Sequence, residues 1–210
     1  MLASLPASAR RIDRLKAVAA LNLNSTEAQR AVNFLKEHRT VVDPTLVFYE
    51  FISASTARPL ASFEPGVARV APELAKQFTD VGSQPPPPFA EEAFAMDLAI
   101  VAALHRAGVP IVAGTDQTVP GHSLHREIEL YTQAGFTHLE AIQAATIVPA
   151  RVMGLDKELE TVEVGKRADL ILLGANPLDD IRNIRKVEFV VTDGRMYNCA
   201  GLWRSVDFKP

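Results

Sequence analysis

Cysteine is almost missing: the 210-residue chain has one, Cys199, which excludes an internal disulfide framework and a thiolate metal cluster built from this chain alone. Long apolar runs are lacking too. The longest, residues 98–104, falls far short of the roughly 20 residues that a membrane-spanning helix needs, so no membrane partner is expected. Basic residues are not in surplus: 22 Lys+Arg stand against 25 Asp+Glu, for a net charge of −3. A strong phosphate footprint needs the opposite balance, and nucleic acid is therefore not an expected partner. No Gly-x-Ser-x-Gly elbow, Walker loop or dinucleotide fingerprint occurs, which removes a Ser-His-Asp hydrolase and the common phosphate cradles. The opening MLASLPASARRIDRLKAV lacks the apolar stretch of about 7–15 residues of a secretory signal. The expectation is a soluble protein, cytoplasmic by default, with its compartment otherwise unassigned.

What the chain does have is globular: 48% hydrophobic and 22% charged residues, enough to bury one sizeable core or two modest ones. Residues 10–38 read as helical with a break at Asn22 and Asn24, and Thr26 with Gln29 has the spacing of a capping box. Ala28, Val32 and Leu35 share the second helix's apolar face, and His38 sits at its negative end. Residues 41–47 are β-rich but hold Pro44, which cannot donate to a ladder and marks a strand end, edge or bulge. Residues 53–90, with prolines at 59, 65, 72 and 85–88, read as an irregular excursion or lid.

From Glu91 the pattern becomes regular. Phe94, Leu98, Val101 and Leu104 recur at helical spacing, and Gly108 supplies a left-handed C-cap. Residues 109–113 form a short apolar strand that delivers Gly114-Thr115-Asp116 at its carboxyl end. Helix, tight turn and buried strand is the alternation of an α/β protein. A helix over 122–134 stops at Gly135, and Thr137 with Glu140 opens another that carries Ala141, Ile142, Ala144 and Ala145. Beyond a boundary near residue 158 the character changes. Residues 168–173 read as a strand, and 187–197 as a hairpin because Asp193-Gly194 suits a type I′ turn.

Asp116 is the strongest chemical candidate, since a carboxylate at the carboxyl end of a buried parallel strand lies on the face where α/β folds place their sites. The competing reading is a plain turn cap. His122 and His125, three apart, could share a helix face and reach one cation; packed histidines are the bland alternative. Arg167 and Asp169 read as a charged turn feeding a strand.

Five motifs in order, AGVPIVAGTD (107–116), GHSLHREIELYTQAGFTHLEAIQAAT (121–146), PARVMGLD (149–156), VEVGKRADLILLGANPLDDI (162–181) and VVTDGRMY (190–197), resemble the C-terminal half of the amidohydrolase superfamily, in particular its imidazolonepropionase-like and prolidase-like members. VVDPTLVFYE (41–50) resembles the seventh barrel strand of that group, with 111–116 as the eighth. The resemblance implies an α/β fold: a partial (β/α)8 TIM-type barrel over residues 1–158, followed by a small C-terminal β unit over 159–210 that belongs to a composite domain. It implies metal-dependent hydrolysis of a C–N bond, in an amide, cyclic amide or dipeptide, in a small-molecule substrate. The implied cofactor is one or two divalent ions, zinc by family habit. Asp116 then matches the aspartate that binds or neighbours the metal and moves the proton. His122 and Thr45, at ends of elements on the same presumed face, are implied to rim the substrate pocket.

The family's His-x-His pair is not present, and before residue 41 the only histidine is His38. One carboxylate cannot make a four-ligand zinc site, and a full barrel takes about 250 residues. We therefore read the chain as the carboxyl-terminal part of a larger enzyme, inactive alone, whether from a truncated gene model, a broken gene or a split subunit; in the split case a complementary N-terminal chain supplies the missing histidines. The alternative is a noncatalytic subunit that pairs with another chain, or with copies of itself, through open barrel edges.

Overall fold

The computed structural model describes residues 9–116, 118–159 and 161–210; Ser4, Pro6 and Ser8 of the opening segment lie outside them. Two helices, α1 (Arg11–Ala19) and α2 (Thr26–Glu37), come first. Ser25 rather than Thr26 is the cap of α2, its hydroxyl accepting the Ala28 N–H at 3.2 Å, and with Ala28 at the third position the expected capping box does not form. Val32 and Leu35 of α2 pack on the core without being fully buried.

Val42 and Ile111 then pair as parallel neighbours: Val42 donates its N–H to Pro110 O at 2.9 Å, and Val112 donates to Val42 O at 3.0 Å. Among the described residues this pairing stops at a single bridge. The strand expected over 41–47 is cut short because Pro44 cannot donate and Thr45 turns into a left-handed conformation, φ 44°. A helix, α3 (Leu46–Ile52), takes over. The segment expected as a strand over 109–113 shares only this bridge. The described residues therefore show a parallel pair and not a barrel.

The proline-rich excursion winds through 3₁₀ turns and a single turn, α4 (Pro72–Ala75). It leads into α5 (Ala90–Ala107), capped by Gly108 at φ 80° as expected. Then follow α6 (Ser123–Gln133), α7 (His138–Ala144) and α8 (Ile147–Val152). The Thr137–Glu140 capping box of α7 is formed in both directions.

The C-terminal part is a three-stranded antiparallel sheet in the order β1 (Leu170–Leu173), β2 (Val187–Thr192), β3 (Arg195–Asn198). The β2–β3 hairpin turns at Asp193 and Gly194, both at positive φ (49° and 69°), which is the requirement of a type I′ turn. A last helix, α9 (Cys199–Ser205), closes the chain. The apolar core joins α3, α5, α6 and α7 with Val109 and Ile111, and it also takes in Ile181 and Ile184 from the turn before β2. No described helix is long and apolar enough to cross a membrane.

Candidate active face and its supports

The parallel pair runs both chains the same way, so the residues after Val42 and after Ile111 leave at one end. Asp43 sits there with its Oδ1 accepting the Gly114 N–H at 3.0 Å and the Thr45 N–H at 3.3 Å. A Cβ on residue 114 would overlap the Asp43 carboxylate. Glycine is therefore required by this close approach rather than by its own backbone angles. Asp116, two residues on, is exposed and adopts φ 48°. Thr45 is left-handed as well. For a β-branched residue that conformation is a real outlier, with a cost of order 1–3 kcal/mol that neighbouring contacts must hold in place. Two of the three residues singled out from the sequence are thus special backbone positions at the same end of the pair.

What holds Thr45 is Glu127. At the N-cap position of α3, Thr45 makes no side-chain cap, leaving orphan N–H groups at the start of the helix. Glu127, wholly buried on α6, fills the role from 81 positions away in sequence: Oε1 accepts the Leu46 N–H at 3.0 Å and Oε2 the Val47 N–H at 2.6 Å. Burial pushes its carboxyl up to about 7, opposed by those two N–H bonds. One turn further along α6, Tyr131 donates its hydroxyl to Val112 O at 2.8 Å. Helix α6 therefore fastens both partners of the parallel pair.

Behind this face lies a buried ion network. Arg126 grips Glu50 with two nitrogens, both at 2.7 Å, and reaches Glu129 at 2.9 Å. Arg185 joins Glu129 at 2.5 Å and Glu64 at 2.8 Å, and Arg58 pairs with Glu50. Three carboxylates meet three guanidiniums. Burial works against the Arg126 charge, but Glu50 and Glu129 outweigh it and hold the proton on.

His122 and His125 come together at a cavity that Asp116 does not line. His122 is 6% exposed, stacked on Trp203 with ring centroids 5.0 Å apart and planes 7° from parallel. Both histidines line a cavity of about 510 Å³ between α6, the turn at Pro65–Ala68 and the C-terminal unit. Neither Asp116 nor Thr45 lines it.

A divalent ion needs several convergent donors. Among the described residues no group of three or more His, Cys, Asp or Glu is placed to hold one. The residues at the Asp116 end do not by themselves fit the metal that the resemblance implies.

The sequence profile of the Amidohydrolase family matches residues 8–197. The chain belongs to the amidohydrolase family. Relatives include a 5-methylthioadenosine/S-adenosylhomocysteine deaminase of Symbiobacterium thermophilum, 36% identical over 88 residues, which are 36% of this amidohydrolase chain and 20% of that protein. The ochratoxinase of Aspergillus niger is 35% identical over 102 residues, 46% of this chain and 21% of its own. The structure of a bottromycin amidohydrolase superposes with a TM-score of 0.62 over 98% of this chain and 53% of that one, at 20% identity, a likeness of fold alone. The matched part thus spans about a fifth of these curated relatives.

Asp43, Glu127 and Arg126 were not singled out from sequence. For Asp43 the signal was available in the Asp-Pro dipeptide beside a β-rich run. For the others nothing local distinguished them from ordinary charges on a helix.

Proposed function

We propose that this chain is the distal part of a metal-dependent amidohydrolase that cleaves a C–N bond in a small molecule, with Asp116 as the proton carrier. The observation that carries the reading is the parallel pairing of Val42 with Ile111, which brings Asp43, Thr45 and Asp116 to one end of two adjacent segments. The family match and the deaminase among the relatives support the C–N class of reaction. An exposed carboxylate there accepts a proton from the attacking water and returns it to the leaving nitrogen. Thr45 rims the substrate pocket beside it. The two segments form an arc of a (β/α)8 barrel, and the metal ligands are supplied by residues outside this set, carried on a complementary chain.

The test measures ammonia or amine release from dipeptides and aminopurine nucleosides, with the purified chain alone and mixed with the N-terminal barrel half of a relative. Release that needs the mixture and is lost in Asp116→Asn supports the proposal. Undiminished release by Asp116→Asn removes that residue from the chemistry. Well-exposed Ile171, Met196, Val162 and Val164 on the C-terminal unit favour a second reading, a noncatalytic subunit that associates through apolar surface. Tight association without release under any condition would favour it over the enzyme.

A further inference from the structure

The cavity under Trp203 has features that the hydrolase reading does not use. Its walls come from three separate places: the turn at Pro65–Ala68, the N-terminal end of α6, and the stretch around Arg185 and β2, with α9 laid across. The C-terminal tail fastens this arrangement, since Lys209 donates its backbone N–H to Arg69 O at 2.7 Å. Close fit marks the seams. A Cβ on Gly66 would overlap the His122 ring, and one on Gly121 would meet Trp203.

Two residues that line this pocket each carry an unsatisfied imidazole nitrogen. His122 Nε2 and His125 Nδ1 are buried with no hydrogen-bond partner among the described residues. Leaving a buried polar atom unpaired costs about 1–3 kcal/mol, so two such atoms on residues that line one cavity call for a partner there. The charge around the pocket selects its sign. Four basic side chains line it, Arg69, Arg182, Arg185 and Lys186, against the single acid Glu188. Arg182 is paired with Asp180, and Arg185 with Glu64 and Glu129. Arg69 and Lys186 are exposed and have no ion pair among the described residues.

Burial lowers the His122 pKa, opposed by Glu64 and assisted by Arg185 and Arg69. His125 is taken to about 4, by burial first and then by Arg185 and His122. Both rings are therefore neutral at pH 7, and each can present an N–H. A metal cation would use the same nitrogens as acceptors, but it would have to shed water in a buried setting with Arg185 beside both rings. At about 510 Å³ the space lies within the range of roughly 300–1,000 Å³ typical of small-molecule sites and exceeds the need of a bare ion.

We infer that this cavity is a binding site for a small organic oxyanion, a phosphate ester or a carboxylate, held by Arg69 and Lys186 and by N–H groups of His122 and His125. The inference is independent of the hydrolase reading, because it concerns a pocket that Asp116 does not line.

Trp203 is the only tryptophan and lines the pocket, so its fluorescence reports occupancy directly. The full chain is titrated with glycerol phosphate and with succinate, using sodium chloride at matched ionic strength as the control and zinc chloride as the rival. A saturable change with at least one oxyanion and none with chloride is expected. The double variant R69A/K186A should weaken binding at least tenfold while leaving the unfolding temperature of the free chain unchanged, both side chains being exposed. Tighter binding of glycerol phosphate assigns the phosphate source, and tighter binding of succinate the carboxylate source. A response that chloride reproduces, saturation by zinc alone, or oxyanion binding unaffected in R69A/K186A would each overturn the proposal.

Discussion

The ion network behind α6 and the open end of the parallel pair are built on opposite principles. In the network every charge has partners, and Glu50, Glu64 and Glu129 are nearly or wholly buried among three arginines. At the open end one bridge joins the two segments, Thr45 and Asp116 hold left-handed backbones, and Asp116 faces solvent. A closed network resists change because removing one member strands another. The open end holds an exposed carboxylate that no buried partner among the described residues fixes in place. The difference separates two settings for charge in one molecule: internal charge fixes how helices sit, whereas the Asp116 carboxylate stays exposed to solvent.

The contrast is broken most severely by Arg126→Met, which strips Glu50 of its two-point partner and leaves a wholly buried carboxylate with Arg58 alone. Losing one partner of a buried pair costs about 3–5 kcal/mol, so the urea midpoint should fall sharply. An unchanged midpoint would show the network to be dispensable.

Glu127 comes next. Glu127→Ala orphans two helix N–H groups and should cost about 2–4 kcal/mol by chemical denaturation. Its pH dependence has a definite sign. The folded carboxyl, near 7, lies above the ordinary carboxylate value, so folding favours the protonated form. That stabilisation is complete below about pH 4.5 and lost as pH rises through about 7, by at most ~3 kcal/mol. Glu127→Gln, which cannot ionise, should flatten the slope between pH 5 and 8; an equal slope in both proteins would point to another group.

Thr45→Gly should act in the opposite direction. It relieves a left-handed β-branched residue and is expected to raise stability by up to about 1 kcal/mol, less the added chain entropy of glycine. A clear loss would mean that the threonine side chain carries packing not evident from its half-buried position. The smallest effect belongs to Asp116→Asn. With the side chain exposed, its thermal midpoint should match that of the parent, so that any lost turnover reports chemistry alone. A shifted midpoint would make Asp116 a structural residue.

Much of the local architecture was legible in the residues themselves. Gly108, the Thr137–Glu140 box and the Asp193-Gly194 turn are short-range devices whose partners lie within a few positions, and all three formed as read. The two anticipated strands did not form at full length, because Pro44 removes a donor and Thr45 diverts the chain into α3. Asp116 could be named from the motif around it. Its setting could not, since the bond from Gly114 to Asp43 spans 71 positions, the capping of Leu46 by Glu127 spans 81, and the pairing of Arg185 with Glu64 spans 121. Likewise, the short spacing of His122, which caps α6 from outside, and His125 in its first turn brought them together, but the turn at Gly66 and Trp203 of α9 decided what they would see.

The amino-acid order alone therefore determined α5 with its Gly108 cap, the capping box of α7, the β2–β3 hairpin and the family, because backbone preference and hydrophobic period act over a few residues. Tertiary structure alone decided which charges were buried together, which carboxylate stayed exposed and which imidazoles were left without partners, because those outcomes depend on distances that exist only after segments remote in sequence have packed.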